Sequence, residues 1–440
     1  MVLRRVVLGD EGLRDSIRGL NPSWGFLIGY EWGDYLGFLA ETPELPEEED
    51  DPMAWSLEHA KQVLPLLPGG FTIKGVYHAH NDANGSNAYP RAHQTLKELS
   101  SIMSETEHEQ KDYLYLDVDT NDPDSSKLCS VELTLSKVGP NNTSKKFVDL
   151  QYQELIPWTR VKGNFLLDFN SFRTSHATDE TADFTKHMKK VLNSLSEILK
   201  SKAIITFNHE FKSQDEEIDD NTGNNNHNSS GECQVLEAQI ILESDALIKS
   251  DDETMINSTS KLKLGGKVSI CAFLRPGATI REACEAVIQD INRSLNIRFQ
   301  IHSDTLEVDD KNISTELEGP IIYEPPRRVL VPVPSTNNIF ISDYLFSGET
   351  SYDSTVSVKE LFGFTPIPDE IDDEVELIIS PTEIKSAEDD EGEVVNGIGN
   401  SASPIMFHKH TKSSYNFYAM AFGIVLLSVF LYFFRQETKK

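Results

Sequence analysis

The sequence predicts an α+β protein with two folded domains and a single C-terminal transmembrane helix. Three observations carry that expectation. Through residue 310, segments of alternating apolar residues interleave with segments whose apolar residues recur at helical spacing. Two polar, acidic stretches stand apart from the pattern: 213–232, whose one large hydrophobe is Ile218, and 381–414. Residues Tyr415 to Phe434, YNFYAMAFGIVLLSVFLYFF, run without a charge.

The first expected domain is 1–160. VLRRVVLGD begins as a strand. WGFLIGYEW and DYLGFLAETP are apolar segments punctuated by glycine and joined by a short turn, a hairpin pattern. An acidic loop from Pro43 to Pro52 follows. AWSLEHAKQVLPLL places Trp55, Leu57, Ala60, Val63 and Leu64 at helical spacing, and Pro65 or Pro68 ends the helix. FTIKGVYHAH is a strand, 92–104 a helix, and DYLYLDVD and KLCSVELTLSKV alternate as strands.

The second expected domain is 161–310. FLLDF is a short strand. Asp179 to Lys202 is an amphipathic helix with Phe184, Met188, Val191, Leu195, Ile198 and Leu199 on one side. AIITFNHE, VLEAQIILES and KVSICAFL are strands. Residues 213–232, SQDEEIDDNTGNNNHNSSGE, hold Ile218 as their one large hydrophobe and are expected to be a disordered insertion. Pro276 and Gly277 open a helix carrying Ile280, Cys284, Val287, Ile288, Ile291 and Leu295, and IRFQIHSD is expected to close the domain as a strand. Residues 311–380 contain EGPIIYEPPRRVLVPVP, whose prolines confine it to edge strands or extended segments. Residues 381–414 read as an acidic, flexible tether with an r.m.s. reach of about 30 Å.

The uncharged run 415–434 is long enough to cross the roughly 30 Å hydrocarbon core of a bilayer as a helix. Tyr415, Phe417 and Tyr418 lie at one end and Tyr432, Phe433 and Phe434 at the other, where aromatic side chains favour the membrane–water boundary. Six residues follow it, so insertion after translation, with the body left in the cytosol, is expected. MVLRRVVLGDEG is too short in its apolar part for a secretory signal.

A formal charge of −31 excludes a broadly basic nucleic-acid-binding body. The acid lies in runs such as Glu47–Asp51, Asp215–Asp220 and Asp369–Glu376, which read as solvated loops. Cys129, Cys233, Cys271 and Cys284 show no metal or redox spacing, which fits a reducing compartment. Arg327 and Arg328 read as a solvated turn or as a contact for an acidic partner or lipid headgroup.

One segment carries possible chemistry. In GVYHAHND, His78 and His80 are alternate residues of a strand and share a face, with Asp82 following. Two imidazoles at that spacing can hold zinc, but a catalytic zinc needs a third ligand and a base. The competing and favoured reading is a histidine pair hydrogen-bonded at a strand end. No cofactor is assigned.

WGFLIG followed by KGVYHAH resembles the MPN fold, whose active members are zinc isopeptidases that remove ubiquitin-like modifiers. Mapped onto this chain, Gly25 and Gly29 match the glycines and His78 and His80 the histidines. The position of the catalytic Glu falls near Pro22, with no acidic residue between Arg18 and Gly29. The family's Ser position falls on Ala88 and its ligand Asp position on Arg91, while Ser86 and Asp82 are off register. The resemblance therefore implies an inactive MPN-like domain. Taken with YEPPRRVLVPVP and the C-terminal run, the whole chain resembles the odorant-response-abnormal protein 4 family. That resemblance implies a single-pass membrane protein of the endoplasmic reticulum, not an enzyme, that assists a subset of multi-span G-protein-coupled receptors. It also implies partnership with the ubiquitin-fold-modifier-specific cysteine protease. The alternative function is a zinc isopeptidase using His78 and His80.

Overall fold

Two sheets that share one apolar core organise the chain. The computed structural model describes residues 5–46, 51–81, 88–106, 112–132, 145–173, 180–218, 233–242, 260–309, 325–336 and 338–376. The first sheet has six strands in the order β3 (Leu36–Glu41), β2 (Ser23–Tyr30), β4 (Phe71–His80), β5 (Asp112–Asp119), β6 (Lys127–Glu132) and β7 (Lys145–Phe147). The expected hairpin is β2–β3, antiparallel. Strands β4 and β5 run parallel, with Gly75 opposite Leu114 and His80 opposite Asp119. The helix α2 (Pro52–Val63) precedes β4, and the crossover from β4 to β5 contains α3 (Tyr89–Thr106), which buries Ala92, Leu96, Leu99 and Met103 at helical spacing.

Both faces of this sheet are covered. Phe26, Ile28 and Tyr30 of β2 point into the main core, whereas Leu27 points into a second cluster with Val7, Leu13, Ile17 and Tyr77. In β4 the parity changes partway: Phe71, Ile73 and Val76 face the main core, and Tyr77 and Ala79 the other side. A register shift at Leu27/Ile28 of the β2–β4 ladder accompanies it, as an extra residue in one strand requires. The second cluster is closed by β1 (Val6–Asp10), parallel to β8 (Asp149–Gln153), and by α1 (Glu11–Arg18). Asp10 caps α1, its side chain accepting from the Leu13 amide at 2.8 Å.

The second sheet is β10 (Ile204–Phe207), β11 (Gln234–Ile241), β9 (Thr159–Arg173) and β12 (Ser260–Leu274), in that order. The helices α4 (Glu180–Lys202) and α5 (Ile280–Asp309) pack together, and α5 lies on β12. IRFQIHSD, expected as a strand, lies inside α5. The apolar stripe Ile280, Ala283, Val287, Ile291 and Leu295 continues at Arg298, which is buried because it pairs with Glu376 at 2.6 Å. A charged residue in the stripe hides the helical period.

Compactness divides the chain into Met1–Ile378 and Ile379–Lys440, rather than at 160 or 310. The reason is visible at the expected boundary. Trp158 is fully buried with its ring 4.9 Å from that of Phe71, and Phe71 also meets Phe273 of β12 at 6.0 Å. The Gly69 amide donates to the Cys271 carbonyl, and the Phe273 amide donates back to the Gly69 carbonyl, at 3.0 and 2.9 Å. A guanidinium nitrogen of Arg293 donates to the carbonyls of Leu67, Pro68 and Phe71.

The proline-rich stretch is more folded than expected. Strands β13 (Arg327–Pro332) and β14 (Phe340–Leu345) form an antiparallel hairpin, followed by α6 (Ser351–Phe362). Thr350 and Asp353 form a reciprocal capping box, and Gly363, at φ 80°, ends the helix in the left-handed conformation. Arg328 is not a solvated turn residue: it is 1% exposed and pairs through both terminal nitrogens with Asp290, at 2.7 and 2.8 Å.

The insertion expected at 213–232 begins in ordered chain. Ile218 is buried, and its amide donates to the Ala278 carbonyl at 2.9 Å. Residues 219–232, the tether 381–414 and the span Tyr415 to Phe434 lie outside the described residues. Among the described residues, no helix is long and apolar enough to cross a membrane.

Candidate functional site

The parity change in β4 turns His78 and His80 toward the sheet face that carries Val76, Trp24 and Phe26. Asp117 lies directly opposite His78 on the parallel strand β5. It shares its face with Tyr113 and Tyr115, both in the main core. The three side chains meet: His80 Nε2 is 3.3 Å and His78 Nδ1 3.9 Å from Asp117 Oδ1. All are largely buried, with 14%, 16% and 20% of the side chain exposed for His78, His80 and Asp117.

Packing fixes the rings. His78 and His80 stack at 5.2 Å between centroids, and Trp24 packs on His78 at 4.5 Å. The Arg91 guanidinium lies over the Trp24 ring at 4.4 Å, a cation–π contact. The Tyr115 hydroxyl lies 3.2 Å from Asp117 Oδ1 and can donate to it. Burial would raise the Asp117 carboxyl, but His78, His80 and Tyr115 more than offset it and leave it below the ordinary range. Burial pushes Tyr115 up, keeping the phenol protonated as a donor. Burial also lowers Arg91.

Two histidines and a carboxylate are a donor set for zinc or a related divalent ion, and their ligand atoms lie within 4.8 Å of one another. Of the positions mapped from the sequence, the structure brings together His78 and His80, with Arg91 over the Trp24 ring that packs on His78. Pro22 and Ala88 bring no ionisable group; Asp82 and Ser86 lie outside the described residues. The glycines serve strand packing rather than chemistry. A Cβ on Gly25 would stand 2.3 Å from the Ala40 carbonyl oxygen, and one on Gly29 2.2 Å from that of Tyr35. Sequence reasoning missed Asp117. Its signal was a carboxylate at the same parity as the two tyrosines in DYLYLDVD, a strand whose alternate positions are all otherwise apolar or aromatic up to that point.

Fold and cluster together define a mixed α+β body with a candidate divalent-metal site at the ends of two parallel strands. The model of the family described as "Odorant response abnormal 4-like" matches residues 46–373, and the chain belongs to that family. It is 21% identical to Protein odr-4 homolog of Xenopus tropicalis, covering 75% of this chain and 76% of the relative. It is also 21% identical to Odorant response abnormal protein 4 of Caenorhabditis elegans, over 79% of this chain and 70% of that one. The mouse Protein odr-4 homolog matches at 21% over 74% and 75%. None of these names an enzymatic activity. Among solved structures, UfSP from C. elegans aligns at a TM-score of 0.44 and 11% identity, over 82% of this chain and 57% of that one.

Proposed function

We propose that the protein is a non-catalytic, membrane-anchored adaptor of the endoplasmic reticulum. Its body faces the cytosol and recruits a ubiquitin-fold-modifier-specific cysteine protease; it assists folding and trafficking of a subset of G-protein-coupled receptors. The observation that carries the reading is family membership across the body, residues 46–373. The uncharged run Tyr415 to Phe434 supplies the anchor, in contact with the bilayer, and 381–414 the tether. In this reading the first sheet is the inactive MPN-like part and the second sheet packs on it. A tether of that length raises the concentration of a bound partner near membrane substrates to roughly the millimolar range.

The test is deletion of residues 405–440. The protease is expected to leave the membrane fraction when only the truncated protein is present. Unchanged membrane association of the protease would refute recruitment. Replacing the span with an unrelated anchor should preserve function; a loss would shift the role to the span itself.

The His78, His80 and Asp117 cluster favours a second reading, a zinc-dependent isopeptidase. A bound zinc would supply a water acidified to about neutral pKa. His78, His80 and Asp117 would hold the ion, but the base position falls at Pro22 and no acidic residue lies between Arg18 and Gly29. A modifier-cleavage assay with and without His78→Ala/His80→Ala separates the readings: metal-dependent cleavage lost in the variant would establish the enzyme.

A further inference from the structure

The geometry points to a divalent-metal site formed by His78 and His80 of β4 and Asp117 of β5, a structural clasp between two parallel strands. This inference goes beyond the adaptor reading and does not depend on it.

Three observations support the site. His78 Nδ1 is buried and has no hydrogen-bond partner among the described residues, although it faces Asp117 Oδ1 at 3.9 Å. An imidazole nitrogen left that way loses the free energy of a hydrogen bond, and a metal ion would satisfy it. The ligands come from neighbouring strands whose register sets His78 opposite Asp117, so the backbone holds the donors in place. The outer partners are also present. Tyr115 reaches Asp117, Trp24 backs His78, and the two imidazoles brace each other. Hydrogen-bonded carboxylates and ring orientations fixed by neighbours are what protein metal ligands generally have.

The fit is close. Tetrahedral zinc with bonds of about 2.0–2.1 Å sets its ligands about 3.4 Å apart. One separation is already 3.3 Å and another 3.9 Å. All three ligand atoms lie within 4.8 Å of one another, so side-chain rotation is the movement that binding would require. Asp117 takes the part that the sequence register would give to position 91, where an arginine stands instead. Arg91 instead lies over the Trp24 ring. Three protein ligands leave one position for water. With proline at the position where a base would be, the ion's role is to tie β4 to β5 at the point where the chain leaves both strands.

The test is titration of the full-length protein, extracted in mild detergent and stripped with a chelator, with Co²⁺ and then Zn²⁺. One equivalent of Co²⁺ is expected, with visible absorption of four-coordinate intensity that Zn²⁺ abolishes. His80→Ala and Asp117→Asn should each weaken binding by roughly 100-fold or more, and Tyr115→Phe by about 10-fold. Circular dichroism in the far ultraviolet checks that each variant retains the fold. Should a ligand variant fail to fold, the conservative Tyr115→Phe decides alone. A His408→Ala/His410→Ala variant controls for the histidines near the span and should bind normally. Absence of stoichiometric Co²⁺ and Zn²⁺, or binding that Asp117→Asn and Tyr115→Phe leave unchanged, would overturn the site.

Discussion

Replacing Asp290 by Asn should cost the body a large part of its stability. Asp290 is 1% exposed, and its carboxylate accepts from both terminal nitrogens of Arg328, from the Cys271 amide at 2.8 Å and from the Gly69 amide at 3.3 Å. It thus joins α5, β12, the turn before β4 and β13. Asparagine conserves volume but turns one acceptor into a donor and leaves the Arg328 guanidinium buried without a counter-charge. Arg328 retains its bonds to the Ser342 hydroxyl and the Ser269 carbonyl, which do not neutralise it. Breaking a buried pair by removing one partner costs about 3–5 kcal/mol. Against a total of about 5–15 kcal/mol for a folded body, that is a third or more of the margin in most cases. Urea unfolding of residues 1–378, followed by tryptophan fluorescence, reads it as a lower midpoint at unchanged slope. The double replacement Asp290→Leu/Arg328→Met should be less damaging than Asp290→Asn alone, because it removes the orphaned charge. A loss under about 1 kcal/mol for the single variant would refute the claim that 327–376 is an integral part of the folded body.

Trp158→Ala should destabilise by about 3–5 kcal/mol and lower the stability of both sheets together, since one core spans the two; hydrogen exchange showing loss in only one sheet would argue for separate domains. Gly25→Ala should cost about 1–3 kcal/mol, because its Cβ would meet the Ala40 carbonyl and the Tyr77 ring; wild-type stability in urea would rule out the close approach. Asp343 is buried, and burial pushes its carboxyl up to about 6 from 3.8. The folded state therefore binds more protons than the unfolded state between those values, and the protein loses stability as pH rises from about 4 to 6. Asp343→Asn should be more stable than the parent above pH 6, by up to about 3 kcal/mol, with the difference vanishing near pH 4; urea midpoints of both proteins that diverge across that range would show it, and a constant difference would refute it. Arg281→Ala breaks only the exposed contact with Asp215 and should leave the midpoint unchanged within error.

Where a single period governs a segment, sequence and structure agree. The hairpin at Gly25–Glu41 and the helix that buries Ala92, Leu96, Leu99 and Met103 follow from which alternate or fourth residues are apolar. Agreement breaks where burial is carried by charge. Arg298 and Glu376 sit inside as a pair, as do Asp290 and Arg328, and hydrophobic patterning scores each of them as surface. Their partners are distant in sequence, and the pairing depends on the tertiary fold. The C-terminal part of α5 and the docking of β13 were both concealed for that reason. The helix α6 had local signals, Thr350, Asp353 and Gly363, that the neighbouring prolines overshadowed.

The candidate site was legible by half for the same physical cause. His-x-His is local, so strand periodicity alone puts both imidazoles on one side. Which side they face depends on the extra residue in β4, and the third ligand depends on which strand lies beside it in parallel. Neither is local. A search limited to the register of the MPN resemblance meets Ala88 and Arg91 and finds no ligand. The sheet supplies one instead, from a residue 37 positions beyond His80 in the chain. A change at a ligand position in sequence is therefore weak grounds for denying a metal, because a neighbouring strand can present a carboxylate at the same place in space. Loss of the catalytic base is a stronger signal, since a base must occupy one defined position over the bound water while a ligand can approach from several directions. Metal binding and hydrolysis are thus two separate questions for this cluster: the first turns on His78, His80 and Asp117, the second on a base over the water.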